Sequence, residues 1–184
     1  MNQLPEVPVA AHLEPAADRW SIRMERLLPH PPERVWAALT RADQIRQWAP
    51  YAPHQDLDRV GDLPLPVAEQ GQASDEVEPG RVVEVDPPRL LVLRWGAEGL
   101  RFELAPTGAG TRLTLIHLFD QPAQAADYAS GWHLCLGALM ARLDGHDVAP
   151  VAGRSARNPG AEVLRAQYEQ LLAPEVSRRA AVAQ

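Results

Sequence analysis

Strand-like runs occupy the first two thirds of the chain, and after Asp120 the apolar spacing switches to a helical period. From Trp20 the register alternates, with Trp20, Ile22 and Met24 on one side and Ser21, Arg23 and Glu25 on the other, as in a half-buried strand. Pro29, Pro31 and Pro32 end that strand, because each lacks a backbone donor. Pro32 suits the first turn of a helix, and Glu33 is favourable near its positive end. Val35, Trp36 and Leu39 supply its apolar stripe. Thr40 with Asp43 has the spacing of a capping box that restarts a second short helix at Arg41, with Ile45 and Trp48 as its buried pair.

Residues 51–80 are broken up by Gly61, Pro64, Pro66, Gly71, Pro79 and Gly80, and their pattern predicts two weak strands near 55–60 and 67–73. Beyond Gly80 the runs Arg81–Asp86, Leu90–Trp95, Leu100–Ala105 and Thr111–Phe119 are separated by short turns, which makes them an antiparallel meander. In the last run Leu113, Leu115, His117 and Phe119 share one face. From about Pro122, Tyr128, Trp132, Cys135, Leu136, Leu139 and Leu143 recur every three or four residues, with Gly145 at the C-terminal cap. A helix of about 20 residues spans roughly 30 Å, enough to cross a sheet.

These elements predict an α+β helix-grip fold. A curved antiparallel sheet of about seven strands carries two short helices after its first strand and a long helix across its concave face. Residues 1–18, with Pro5, Pro8 and Pro15, read as a loose leader, and 19–145 as the domain. Residues 146–184 read as an extension with a helix at Ala161–Leu172 and a frayed tail from Pro174. That last helix is apolar enough to need cover, from its own domain or from a second copy in a homodimer.

Some residues resemble a known family. They are the run Arg81-Val-Val-Glu-Val-Asp-Pro-Pro-Arg-Leu90, then Trp95, the Gly108–Thr111 turn with Arg112-Leu-Thr-Leu115, Gly131-Trp132 on the long helix, and the early Pro32-Glu-Arg-Val-Trp36. Over about residues 20–144 they resemble the activator of Hsp-90 ATPase homologue domain, of the START-like, polyketide-cyclase-like (SRPBCC) helix-grip superfamily. The resemblance implies the fold and a cavity between sheet and helix. It brings no shared cofactor and no shared catalytic residue.

Composition narrows the function classes. The net charge of −6, with nine carboxylates between Asp56 and Asp86 against only Arg59 and Arg81, leaves no basic stripe for nucleic acid. No apolar run approaches ~18 residues, and no signal-peptide pattern opens the chain, so no membrane role and a cytoplasmic location are expected. Cys135 is the one cysteine. It stands two residues from His133, so a helix points the two about 160° apart, and no metal and no cofactor are expected. No phosphate loop, nucleophile elbow or zincin motif is present.

The cavity candidates are therefore Trp95, Phe102, Leu115, His117, Phe119, Trp132, His133, Leu136 and Leu139, a largely apolar set around two histidines. His117 draws most interest as the polar residue on an apolar strand face. Gly131 and Gly137 each cost ~1 kcal/mol relative to Ala inside a helix, which implies either close approach of the sheet or space for a guest. The leading expectation is a module binding a small, largely apolar ligand. A cyclase- or aromatase-like enzyme using His117 or His133, and a protein binding a chaperone partner, are the rivals.

Overall fold

The computed structural model describes residues 7–69, 71–149 and 159–180. Strands β1 (His12–Ala16) and β2 (Arg19–Leu28) lead into helices α1 (Pro32–Thr40) and α2 (Ala42–Ile45). Then follow β3 (Gly61–Glu69), β4 (Gln72–Asp86), β5 (Leu90–Trp95), β6 (Glu98–Thr107) and β7 (Gly110–Phe119). A 3-10 turn at Pro122–Gln124 opens the long helix α3 (Ala125–Leu143), and α4 (Pro159–Ala180) comes last. All seven strands form one antiparallel sheet in the order β1-β2-β7-β6-β5-β4-β3. The expected helix-grip architecture is present.

Strand register explains how the concave face is built, since residues paired across antiparallel strands share a face. One row runs Ile22–His117–Leu100–Leu93–Val82 over five strands, and the next runs Met24–Leu115–Phe102–Leu91. All nine side chains are buried. Against these rows α3 lays its broad apolar stripe. Trp132 meets Phe102 edge-on at 6.0 Å, and Phe102 meets Trp48 at 6.3 Å. These aromatics fill the middle of the grip. The indole N–H of Trp48 donates to the Ala38 carbonyl at 2.9 Å, which pins the chain after α2 to α1.

Several expectations are corrected. Residues 12–16, read as leader, are edge strand β1, so the two short helices follow the second strand. Pro15 hid it, yet a proline is tolerated on an edge where no ladder bond is needed. Residues 55–60 form no strand, and 67–73 straddles the β3–β4 turn. Pro64 and Pro66 lie within β3, which is the opposite edge of the sheet. Gly80 is likewise no turn. It sits within β4, where a Cβ would fall 2.5 Å from the Leu65 side chain.

The capping box does not form. Thr40 Oγ1 instead donates back to the Trp36 carbonyl at 2.8 Å, and Asp56, fourteen residues on, accepts the Ala42 N–H at 2.8 Å. Arg41 is the residue before α2, not its first. At the other end, α4 continues past Leu172 and through Pro174. The carboxylate of Glu175 accepts the Leu13 N–H at 2.7 Å, tying this last stretch to the β1 edge. Cover for α4 comes from its own domain: Ala161, Leu164, Tyr168 and Leu172 are buried, and the helix packs on α3 and β1. Leader residues 1–6, most of the loop after Gly145 and the last four residues of the tail lie outside the described residues.

Candidate functional site

The polar chemistry of the grip gathers at one end of it. His117, 1% exposed, stands in the aliphatic row of β7 because its alternation with Leu115 and Phe119 leaves it no other face. The Trp132 indole N–H donates to His117 Nδ1 at 3.0 Å. That bond makes Nδ1 an acceptor, so Nε2 carries the proton and donates to the Glu98 carboxylate at 2.8 Å. Tyr128, at the N-terminal part of α3, donates its hydroxyl to the other Glu98 oxygen. Its ring also stacks edge-on against His117 at 4.4 Å and tilts on Phe119 at 5.0 Å.

Glu98 opens β6, opposite Trp95 of β5, and keeps about a quarter of its side chain in solvent. Burial works against its charge, but the hydrogen bonds from His117 and Tyr128 and the nearby charge of Arg19 outweigh it. The carboxyl is held below its ordinary range and is ionised at neutral pH. Burial and the bond to Glu98 in turn push the Tyr128 phenol up, so it remains a donor.

Tyr51 completes this end. It follows α2, bridges to Val67 of β3, and sets its ring edge-on to Trp95 at 5.5 Å. Its side chain is fully buried, and its hydroxyl has no hydrogen-bond partner among the described residues. Burial, with Cys135 of α3 nearby, drives its ionisation far out of reach. An orphan hydroxyl of this kind costs about 1–3 kcal/mol. Cys135 is itself buried and its thiol is pushed up to about 12, so it is a protonated, unreactive side chain.

Of the expected cavity residues, Trp95, Phe102, Leu115, His117, Phe119, Trp132 and Leu136 lie on the sheet's inner face or the facing side of α3. His133 does not: it turns to the α3–α4 seam, where Nδ1 meets the Tyr168 hydroxyl at 3.0 Å. Leu139 lines a separate pocket, near the C-terminal end of α3. Glu98, Tyr128 and Tyr51 were not singled out as site residues. Glu98 carried a signal, because it keeps period-two register with Leu100 and Phe102. Tyr51 carried none, since its place depends on a loop.

The seam holds a second unusual group. Arg26 on β2 is 5% exposed; Nη1 donates to the Glu25 carbonyl at 2.7 Å and the Tyr168 hydroxyl stands beside the guanidinium, but Nε and Nη2 have no partner in good hydrogen-bond geometry among the described residues. Burial opposes its charge, but a guanidinium stays protonated. No carboxylate pairs with it among the described residues, and replacing such a buried cation by a similar apolar volume removes the burial penalty. Arg26→Met is expected to raise stability by about 1–2 kcal/mol in urea melts. A lower unfolding midpoint would show that the guanidinium holds the seam together.

Burial first, and then the charge of Arg26, lower the His133 pKa from 6.5 to about 4. Between these values the unfolded chain binds the proton and the folded one does not, so stability is lost as pH falls from 6.5 towards 4. The ring is only half buried, so solvent screening reduces the expected loss to about 1–2 kcal/mol. It is read as the urea midpoint against pH, and His133→Gln should flatten that stretch. An unchanged slope in the variant would assign the acid sensitivity elsewhere. Glu98, whose value is depressed, contributes in a lower window, as pH falls through its folded value.

Known proteins place these features in context. The sequence profile described as activator of Hsp90 ATPase homolog 1-like protein matches residues 29–144. No curated protein matches the chain. Among solved structures, the solution structure of CalU16 from Micromonospora echinospora is similar at 22% identity and TM-score 0.69, covering 91% of this chain and 92% of that one. A conserved protein of unknown function, EF2215 from Enterococcus faecalis, is 15% identical with TM-score 0.62, over 89% and 91% of the two chains. Protein MLL2253 from Mesorhizobium loti is 25% identical with TM-score 0.53, over 70% of this chain and 99% of that one.

Proposed function

The chain belongs to the activator of Hsp90 ATPase homolog 1-like family, whose fold is of a ligand-binding kind, and from that premise we propose that it binds a small, largely apolar molecule between the concave sheet face and α3. The observation that carries this reading is the buried, unpartnered Tyr51 hydroxyl beside Trp95. A polar guest atom would satisfy it, and apolar walls from Trp95, Phe102, Leu115, Phe119, Trp132 and Leu136 would take the rest. Glu98 is the second polar anchor. Two of the roughly four lone-pair positions on its carboxylate are used by His117 and Tyr128, and the others can accept a guest hydroxyl or amine. The half-buried aromatics Tyr128 and Trp95 would border such a molecule on the solvent side.

Thermal-shift measurements on apolar molecules carrying one hydroxyl or amine group test the reading, with Tyr51→Phe as the decisive variant. Without additive, the variant should be about 1 kcal/mol more stable, because the orphan hydroxyl is gone. Any molecule that stabilises the wild type should bind it about tenfold more weakly. Equal binding by both proteins would remove Tyr51 from the site and with it the basis of the reading.

An enzymatic reading draws on one observation, an ionised carboxylate oriented by two hydrogen-bond donors, with lone pairs left to accept a proton although those donors weaken it as a base. There Glu98 would take the proton, with His117 and Tyr128 orienting it. Glu98→Gln would then abolish turnover of a bound molecule while leaving it bound, whereas in a pure binding module no turnover exists to lose.

A further inference from the structure

At the far end of α3 a second recess of about 290 Å³ lies between α1, the α2 segment and the last helical turns. It is about 14 residues along the helix from Tyr128, or roughly 21 Å. Its wall combines Arg34, Arg142, Gln44 and Gln47 with Trp48 and Leu139, and no carboxylate lines it. Its donors are only partly used. Arg34 donates Nη2 to the Leu143 carbonyl at 2.5 Å, and its Nε and Nη1 make no hydrogen bond among the described residues. Arg142 is held by Asp147 through Nη1 at 2.7 Å and by the Val148 carbonyl through Nη2, while its buried Nε–H has no partner among the described residues. Gln47 donates to the Asp43 carbonyl at 3.0 Å, and neither its own oxygen nor the Gln44 side chain makes a hydrogen bond among the described residues.

We infer that this recess is a second binding site, distinct from the grip, for a small organic carboxylate with a short apolar body. Two guanidiniums, Arg142 paired with Asp147 outside the lining and Arg34 without a carboxylate partner among the described residues, and two carboxamides line a space with no acid in its wall, which selects for an anion. The planar fork of Arg34 matches a carboxylate's two oxygens. Trp48 and Leu139 supply a floor for carbon, and the volume of about 290 Å³ falls just below the range for organic ligands, roughly 300–1,000 Å³, which suits a short body. A bare inorganic anion would leave that floor unused.

Benzoate is a suitable probe, followed by proton–nitrogen NMR on the full chain, with benzamide and inorganic phosphate as controls. Benzoate should shift the side-chain amides of Gln44 and Gln47 and the Trp48 indole, and benzamide should bind at least tenfold more weakly. Arg34→Gln should lower benzoate affinity about tenfold, one charge-assisted bond's worth. Arg34→Lys, keeping charge without the fork, should fall between. Tyr51→Phe should leave benzoate binding unchanged, so that this site and the grip stand or fall separately. Benzamide or phosphate binding as tightly as benzoate would overturn the inference. Shifts confined to the Glu98 end, or full affinity in Arg34→Gln, would do the same.

Discussion

Trp132→Ala is expected to destabilise the protein by about 3–5 kcal/mol, the cost of removing a large aromatic from a packed core. Trp132 is 4% exposed, meets Phe102 edge-on at 6.0 Å, and is the contact through which α3 presses on the middle of the sheet. Truncation removes that packing and also leaves His117 Nδ1 without its donor. Trp132→Phe separates the two contributions. It retains most of the apolar area, so its smaller loss reports the indole hydrogen bond and the residual void. Denaturant melts give both values, and a loss under 1 kcal/mol for Trp132→Ala would mean that the sheet does not grip the helix there.

The second large effect is expected at His117. Replacement by Leu keeps approximate volume but strands the buried Trp132 N–H and strips Glu98 of one of its two donors. Leaving such groups unpaired costs about 1–3 kcal/mol each, more for a charged partner, so a loss of roughly 2–4 kcal/mol follows. His117→Asn, which keeps an acceptor near the Nδ1 position, should recover part of it. The carboxyl of Glu98 should also titrate higher in His117→Leu, a change that NMR of the Glu98 carboxyl can follow. Unchanged stability would contradict the hydrogen-bond geometry. Both ring nitrogens are engaged by the protein, so in the proposed site His117 would act on a guest only through Glu98 and Trp132, as a positioning residue.

The opposite signs expected at His117 and Tyr51 carry the functional argument. Both are buried polar groups in the same end of the grip. One is fully satisfied, so its removal should destabilise. The other is orphaned, so its removal should stabilise, and an unpaired buried group that persists at such a cost is where a ligand is most usefully sought.

How much of this was legible in the sequence depended on whether the information was local. Period-two alternation placed His117 between Leu115 and Phe119, and the three-four spacing from Tyr128 to Leu143 placed α3, because strand and helix geometry follow from neighbours. Those two patterns also implied that α3 would lie across the sheet face that carries His117. Prolines misled where tertiary position overrode them: Pro15, Pro64 and Pro66 lie on the two edge strands of the sheet, where proline is tolerated. The capping box at Thr40 lost to Asp56, a competitor that no local rule could see.

The site chemistry divides in the same way. The sequence by itself determined a lone histidine on an apolar face, but which groups complete its bonds was decided by packing, which brought Glu98 from β6 and Tyr128 and Trp132 from α3. His133 stands one residue from Trp132, and 100° of helical rotation was enough to send it to Tyr168 and the neighbourhood of Arg26. The orphan hydroxyl of Tyr51 and the acid-free recess beside Arg34 exist only because loop and helix ends converge from distant positions. Periodicity specifies which face a residue shares with its neighbours, and only the folded chain specifies what stands opposite that face.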